Sequence, residues 1–174
     1  APRLVTAFQE SATLITTIIQ LTRQLTVDLS PPVLQSEGLV EMLHWLANHM
    51  HQMYGLTVAV EADIQPQLYS NELRIFLFQL VRELLFNVVK HAGVTQARVK
   101  VQSIDDQLAV QVGDQGQGFD VPSTLAAPHA GGYGLRSIQH RLTLFDGQLL
   151  LDSQPGVGTQ VTILLPRHPP SLRS

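Results

Sequence analysis

The sequence predicts an α/β (α+β) domain preceded by one long amphipathic helix. Three observations predict it: helix-period and strand-period segments interleave from residue 37 onward, the strands after the first come in pairs, and a separate stretch near the start keeps a helical period with no strand beside it. In that stretch Leu4, Phe8, Ala12, Ile15, Ile18, Ile19, Leu25 and Leu29 recur at three and four spacing, as on one face of a helix that wants a partner. Ser30-Pro31-Pro32 ends it, because a proline disfavours helical geometry in the residue before it and donates no backbone bond.

A second helix is predicted from Glu37 to Tyr54, with Gly55 as its stop, and a strand over Leu56 to Ala62. From Asn71 to His91 apolar residues cover nearly the whole circumference, as in a helix buried in a core. Strands Ala97 to Ser103 and Gln107 to Val112 follow, joined as a hairpin through Ile104-Asp105-Asp106. Phe119 to Gly131 is small, proline-containing and aperiodic, and reads as a mobile loop. A helix from Tyr133 to Phe145 and strands Gln148 to Asp152 and Thr159 to Leu165 close the domain, before a tail from Arg167. The expected organisation is therefore helix 1–30, linker 31–36, globular domain 37–166 and frayed tail 167–174.

Composition narrows the function classes. Hydrophobic residues make up 44% and charged residues 14%, too apolar for a disordered chain, and 174 residues suffice for an unstapled core. A net charge of −3 leaves no broad basic surface for a nucleic-acid backbone. The absence of cysteine excludes disulfides and thiolate metal sites. No apolar run approaches the roughly 18 residues that span a bilayer. These features predict a soluble, cytoplasmic domain without direct membrane contact, in a parent that could itself be a membrane-bound receptor.

Within the core helix Glu83, Asn87 and Lys90 stand at i, i+4 and i+7, which about 100° per residue places on one face, with Gln79 behind them. Burying such groups on an apolar helix costs free energy unless something satisfies them, so the stripe is expected to line a polar cavity; a solvated helix face is the plainer alternative. His91 could join the site or cap the helix end. Three glycine clusters follow: Asp114-Gln115-Gly116-Gln117-Gly118-Phe119 at a strand end, Gly131-Gly132-Tyr133-Gly134-Leu135 opening a helix, and Gly156-Val157-Gly158-Thr159 opening the last strand. The first lets backbone approach a flat ligand beside a carboxylate, and the second offers free amides and a helix dipole to phosphate.

In this order the motifs resemble the ATPase superfamily shared by DNA gyrase, the heat-shock chaperones, histidine kinases and mismatch-repair proteins. Glu83 through Ala92 matches its N box, Asp114 to Phe119 its first glycine box, Gly132 to Leu135 its second and Gly156 to Thr159 its third. The run Asn87-Val88-Val89-Lys90-His91-Ala92, and Leu29-Ser30-Pro31-Pro32-Val33-Leu34 after a long helix, look like sensor kinases of the nitrate-sensor type. The resemblance implies a two-layer sandwich, a mixed sheet with helices on one face, binding ATP between the helices and a flexible lid.

It also implies roles. Asp114 would accept from the adenine amine with Thr159 supporting it through water, Asn87 would give a side-chain oxygen to Mg2+, and Lys90 would offset phosphate charge. Glu83 would orient or polarise the attacking group, His91 would contact the nucleotide, and Gly116, Gly118, Gly132, Gly134 and Leu135 would shape the loop and lid. Glu83, Asn87 and Lys90 are thus the expected catalytic residues. The γ-phosphoryl would pass to a histidine and then to a response regulator, within a homodimeric full-length protein. In such kinases the acceptor histidine lies on the first of two dimerisation helices and an acidic residue follows it. The seven histidines here precede Trp45, Met50, Gln52, Ala92, Ala130, Arg141 and Pro169, and none lies in Leu4 to Leu29. The acceptor is therefore expected outside residues 1–174, with residues 1–30 as the second dimerisation helix. An anti-sigma-type serine kinase, an ATP-gated dimerisation clamp and a nucleotide-binding module without transfer activity are the alternatives. The long helix speaks against the first, and the lack of a following transducer domain against the second.

Overall fold

The computed structural model of the protein describes residues 38–64, 69–122 and 132–166. The predicted helix over Leu4 to Leu29, the Pro31-Pro32 break, the tail and most of the loop from Phe119 lie outside them. Helix α1 (Leu39–Tyr54) buries Leu39, Met42, Leu43, Leu46, Ala47 and Met50, a single stripe at three and four spacing. It ends as predicted at Gly55, whose φ of 67° only glycine adopts at no cost; Gly55 N–H donates to the His51 carbonyl (3.0 Å) and Leu56 N–H to that of Met50 (3.4 Å).

Strand β1 (Thr57–Asp63) leads to helix α2 (Asn71–Asn87), which starts where the Ser70 hydroxyl accepts from Leu73 N–H at 3.2 Å. Eight apolar side chains of α2 are buried around its circumference, Leu73, Phe76, Leu77, Phe78, Leu80, Val81, Leu84 and Leu85. The helix does not run regularly to His91 as its periodicity predicts: Val88–Ala92 forms a π-helical turn that Gly93 closes at φ 71°. Strands β2 (Gln96–Ile104) and β3 (Gln107–Asp114) form the expected hairpin across Asp105-Asp106, and Asp105 takes a positive φ of 52° there. Helix α3 (Gly132–Leu142) continues as a 3-10 turn through Phe145. Strands β4 (Gln148–Gln154) and β5 (Gly158–Pro166) complete the domain.

The five strands form one mixed sheet in the order β1-β2-β3-β5-β4. Only β1 and β2 are parallel, and α2 makes the crossover between them; the remaining pairs are antiparallel. Register aligns Val99 with Val112 and Val161, Val101 with Val110 and Ile163, and Leu108 with Leu165. These buried side chains form the face on which α1 packs against β1, α2 against β3 and α3 against β4. The opposite face carries Arg98, Lys100, Gln102, Gln111 and Gln160, with an exposed Arg98–Glu61 ion pair at 3.2 Å that adds little stability. The α+β, two-layer prediction is met. Among the described residues no helix is long and apolar enough to cross a membrane.

Candidate functional site

A cavity of about 270 Å³ opens between α2 and the sheet. Leu84, Asn87, Val88, His91 and Ala92 come from the helix and its π turn, Val112, Asp114, Gln117, Gly118 and Phe119 from β3 and its loop, Leu135 from α3, and Thr159 and Val161 from β5. Its walls are mostly apolar, with a carboxylate, an amide and an imidazole among them, which suits a flat heteroaromatic group. A wider hollow of about 700 Å³ on the open sheet face is lined mainly by polar side chains and strand-end backbone, so the enclosed cavity is the candidate.

Asp114 is the last residue of β3 and pairs with Thr159 on β5, which sets the carboxylate beside the hydroxyl. One carboxylate oxygen accepts from Gly116 N–H at 2.8 Å, which fixes the side chain at the cavity wall. Thr159 is steadied from behind by Ser153, whose hydroxyl lies 2.9 Å from that of Thr159, accepts from Phe119 N–H at 2.9 Å and donates to the Gly158 carbonyl at 3.1 Å. Among the described residues Ser153 and Thr162 are the buried polar ones, and these bonds satisfy Ser153.

The loop after β3 lies against the helix end. Gln117 N–H donates to the Ala92 carbonyl at 2.9 Å, and a Cβ on Gly116 would come within 2.2 Å of the same oxygen, so only glycine permits this approach. Gly118 adopts φ 56°, and a Cβ there would lie 2.0 Å from the Gln154 carbonyl. These two glycines are therefore required by contact and turn geometry.

Of the residues expected at the site, the structure brings Asn87, His91, Asp114, Gly118, Leu135 and Thr159 to the cavity wall. Gly116 stands behind the wall through its bond to Asp114, and Gly132 and Gly134 lie in the first turn of α3. Glu83 is half-buried one turn before Asn87 and does not line the cavity. Nor does Lys90: it is exposed, with Nζ 5.6 Å from the Phe86 ring centroid and Arg82 over the same ring at 5.1 Å. The wall residues of this segment are Leu84, Asn87, Val88, His91 and Ala92, at three and four spacing, so the cavity meets a helix face that shares only Asn87 with the Glu83, Asn87, Lys90 stripe. Ser153, Gln117 and Phe119 were not singled out from sequence, although Ser153 carried a signal: it is in phase with Leu149 and Leu151 along β4, an inward position where a polar residue needs partners.

A family model described as histidine kinase-, DNA gyrase B-, and HSP90-like ATPase matches residues 72–169, more than half of the chain. The chain belongs to that ATPase family. An uncharacterised sensor-like histidine kinase of Chloroflexus aurantiacus is 32% identical over 148 residues, 83% of this chain and 25% of that protein. The oxygen sensor histidine kinase NreB of Staphylococcus carnosus is 30% identical over 149 residues, 86% of this chain and 42% of that protein. The chain thus spans a quarter to about two fifths of the length of these relatives. The histidine kinase domain of a blue-light activated histidine kinase from Erythrobacter litoralis superposes with a TM-score of 0.58 at 25% identity, covering 74% of this chain and 60% of that one. Residues 38–166 accordingly have the fold of a histidine kinase ATPase domain, and the cavity belongs to an ATP-binding member of the ATPase family.

Proposed function

We propose that the chain is the catalytic, ATP-binding part of a two-component sensor histidine kinase, with adenine in the cavity between α2 and the sheet. The observation that carries this is the pinned Asp114: one oxygen is held by Gly116 N–H on the wall of a largely apolar slot, and this reading gives the other oxygen to the ligand. An adenine amine donates to that oxygen. Guanine presents an acceptor at the same place, leaving a buried carboxylate unpaired at a cost of about 1–3 kcal/mol.

Magnesium fits the residues present. Asn87 contributes a side-chain oxygen at the cavity wall, and among the described residues no cluster of three or more His, Cys, Asp or Glu forms a metal cage. A small hard cation held by one amide oxygen completes its shell with phosphate oxygens and water. When bound it would supply charge for phosphoryl transfer. Lys90, released from the Phe86 ring, offsets phosphate charge; Glu83 orients the attacking group; Gly132 and Gly134 let the chain fold over the phosphates. The γ-phosphoryl goes to a histidine outside residues 1–174 and then to a response regulator, within a homodimer. The reading places the domain in the cytoplasm, where ATP is found.

The test is to incubate the longer protein, with its acceptor histidine, with labelled ATP. Acid-labile phosphate on histidine, competed by unlabelled ATP and not by GTP, is expected. Phosphate on serine alone would refute the histidine assignment.

A further inference from the structure

Gln117 joins three segments that are remote in sequence. Its backbone N–H donates to the Ala92 carbonyl at 2.9 Å, its side-chain amide donates to the His91 carbonyl, and its own carbonyl accepts from Gly156 N–H at 2.7 Å. The first two acceptors belong to the end of the π turn, where carbonyls have no partner further along the helix. The third contact reaches the turn between β4 and β5 that leads into Thr159. One residue therefore ties the helix end carrying Asn87 and His91 to the loop carrying Asp114, and it lines the cavity between them.

We infer that Gln117 is a positioning residue for nucleotide: its side-chain amide sets the phosphate-side wall, Asn87 and His91, relative to the adenine-side wall, Asp114 and Thr159. This rests on the reading of the cavity as the ATP site. Any residue but proline at 117 can make the two backbone bonds, so the loop stays docked without the amide. Only the side chain fixes the His91 carbonyl, and with it the turn of helix next to Asn87. That bond is exposed to solvent, so global stability depends on it weakly. Simultaneous capture of adenine and of a magnesium-bound phosphate depends on it more, because the two walls must be placed together.

Two variants isolate the amide. Gln117→Met keeps the length and loses the donor; Gln117→Glu keeps the shape and can only accept. Calorimetric titrations with adenosine, with ATP and with ATP plus Mg2+ are run on the whole chain, beside thermal melts without nucleotide. In both variants the affinity for Mg-ATP is expected to fall about fivefold, the loss of one hydrogen bond. Adenosine affinity should hold within about twofold and the melting temperature within about 3 °C. Unchanged Mg-ATP affinity in both variants overturns the inference. So does an equal loss for adenosine and Mg-ATP, or a large drop in melting temperature, since either marks a residue that merely folds the loop. A wild-type chain that binds no ATP sinks the site assignment itself, a result separable from all of these.

Discussion

The proposed function concentrates most of the recognition of adenine in one side chain, Asp114. One of its oxygens is bonded to Gly116 N–H, and the proposed function assigns the other to the adenine amine. Asp114→Asn keeps an oxygen for Gly116 and replaces the other acceptor with a donor. Affinity for ATP is expected to fall about 10- to 100-fold, as for a lost hydrogen bond to a charged group, while the nucleotide-free melting temperature barely moves; calorimetry giving an unchanged affinity would place adenine elsewhere. Asn87→Ala makes a different prediction, since it removes the oxygen that the proposed function gives to the cation and leaves Asp114 and Thr159 alone. The strengthening of ATP binding by magnesium should vanish in this variant, and equal strengthening in variant and wild type would take the cation away from Asn87. Asp114 and Asn87 were legible because polar residues in apolar strands and helices stand out against their surroundings. Gln117 was not: a glutamine between two glycines has no pattern to break, and its role comes from carbonyls some 26 positions away in sequence.

Elements were easier to read than their ends. The hydrophobic period found α1, α2, α3 and the five strands but read helical Val121 and Pro122 as loop, and it carried α2 on to His91, because Val88 and Ala92 remain buried through the π turn and keep the apolar pattern alive. Strand β3 runs two residues beyond Val112 for the opposite reason: Gly113 and Asp114 look like loop in isolation, and pairing with Gln160 and Thr159 on β5 makes them strand. Tertiary contact decided both boundaries. The start of α2 was set locally, and so it can be tested locally. Glu72, exposed in the first turn, is held below the ordinary carboxylate range by its own backbone N–H and then by the Ser70 hydroxyl, which also accepts from Leu73 N–H. A lowered carboxylate pKa contributes stability above the ordinary carboxylate range, and that contribution is lost as pH falls through the lowered value. Glu72→Gln should therefore melt slightly below wild type at neutral pH and level with it in strong acid. A gap that persists or widens in acid would assign the effect to something other than this charge.

At the scale of the molecule, sheet and helices build the cavity proposed for nucleotide and leave the described histidines poorly placed for accepting phosphate. Phosphoryl transfer needs a nucleophile in line with the γ-phosphate, and catalysis there is mostly positioning and charge neutralisation. His44 and His51 are exposed on α1, His49 is stacked on Trp45 with ring centroids 5.1 Å apart, and His140 is exposed on α3. His91 lies nearest to the cavity, but its backbone carbonyl is tied to Gln117 and the turn that carries it closes at Gly93, so its ring is better placed to contact a nucleotide than to leave with its phosphate. His129 and His168 lie outside the described residues, and neither is followed by the acidic residue expected after an acceptor. Residues 1–174 are thus expected to bind Mg-ATP without forming phosphohistidine on themselves. On the proposed function, supplying a first dimerisation helix that carries an acceptor histidine, joined to the chain or on a second copy, should place label on that histidine. The decisive measurement is acid-labile phosphate after incubation of residues 1–174 alone with γ-labelled ATP: a stoichiometric signal there would mean that an acceptor lies within the chain, and mapping it by mass spectrometry would show which of the seven histidines this reasoning had misjudged.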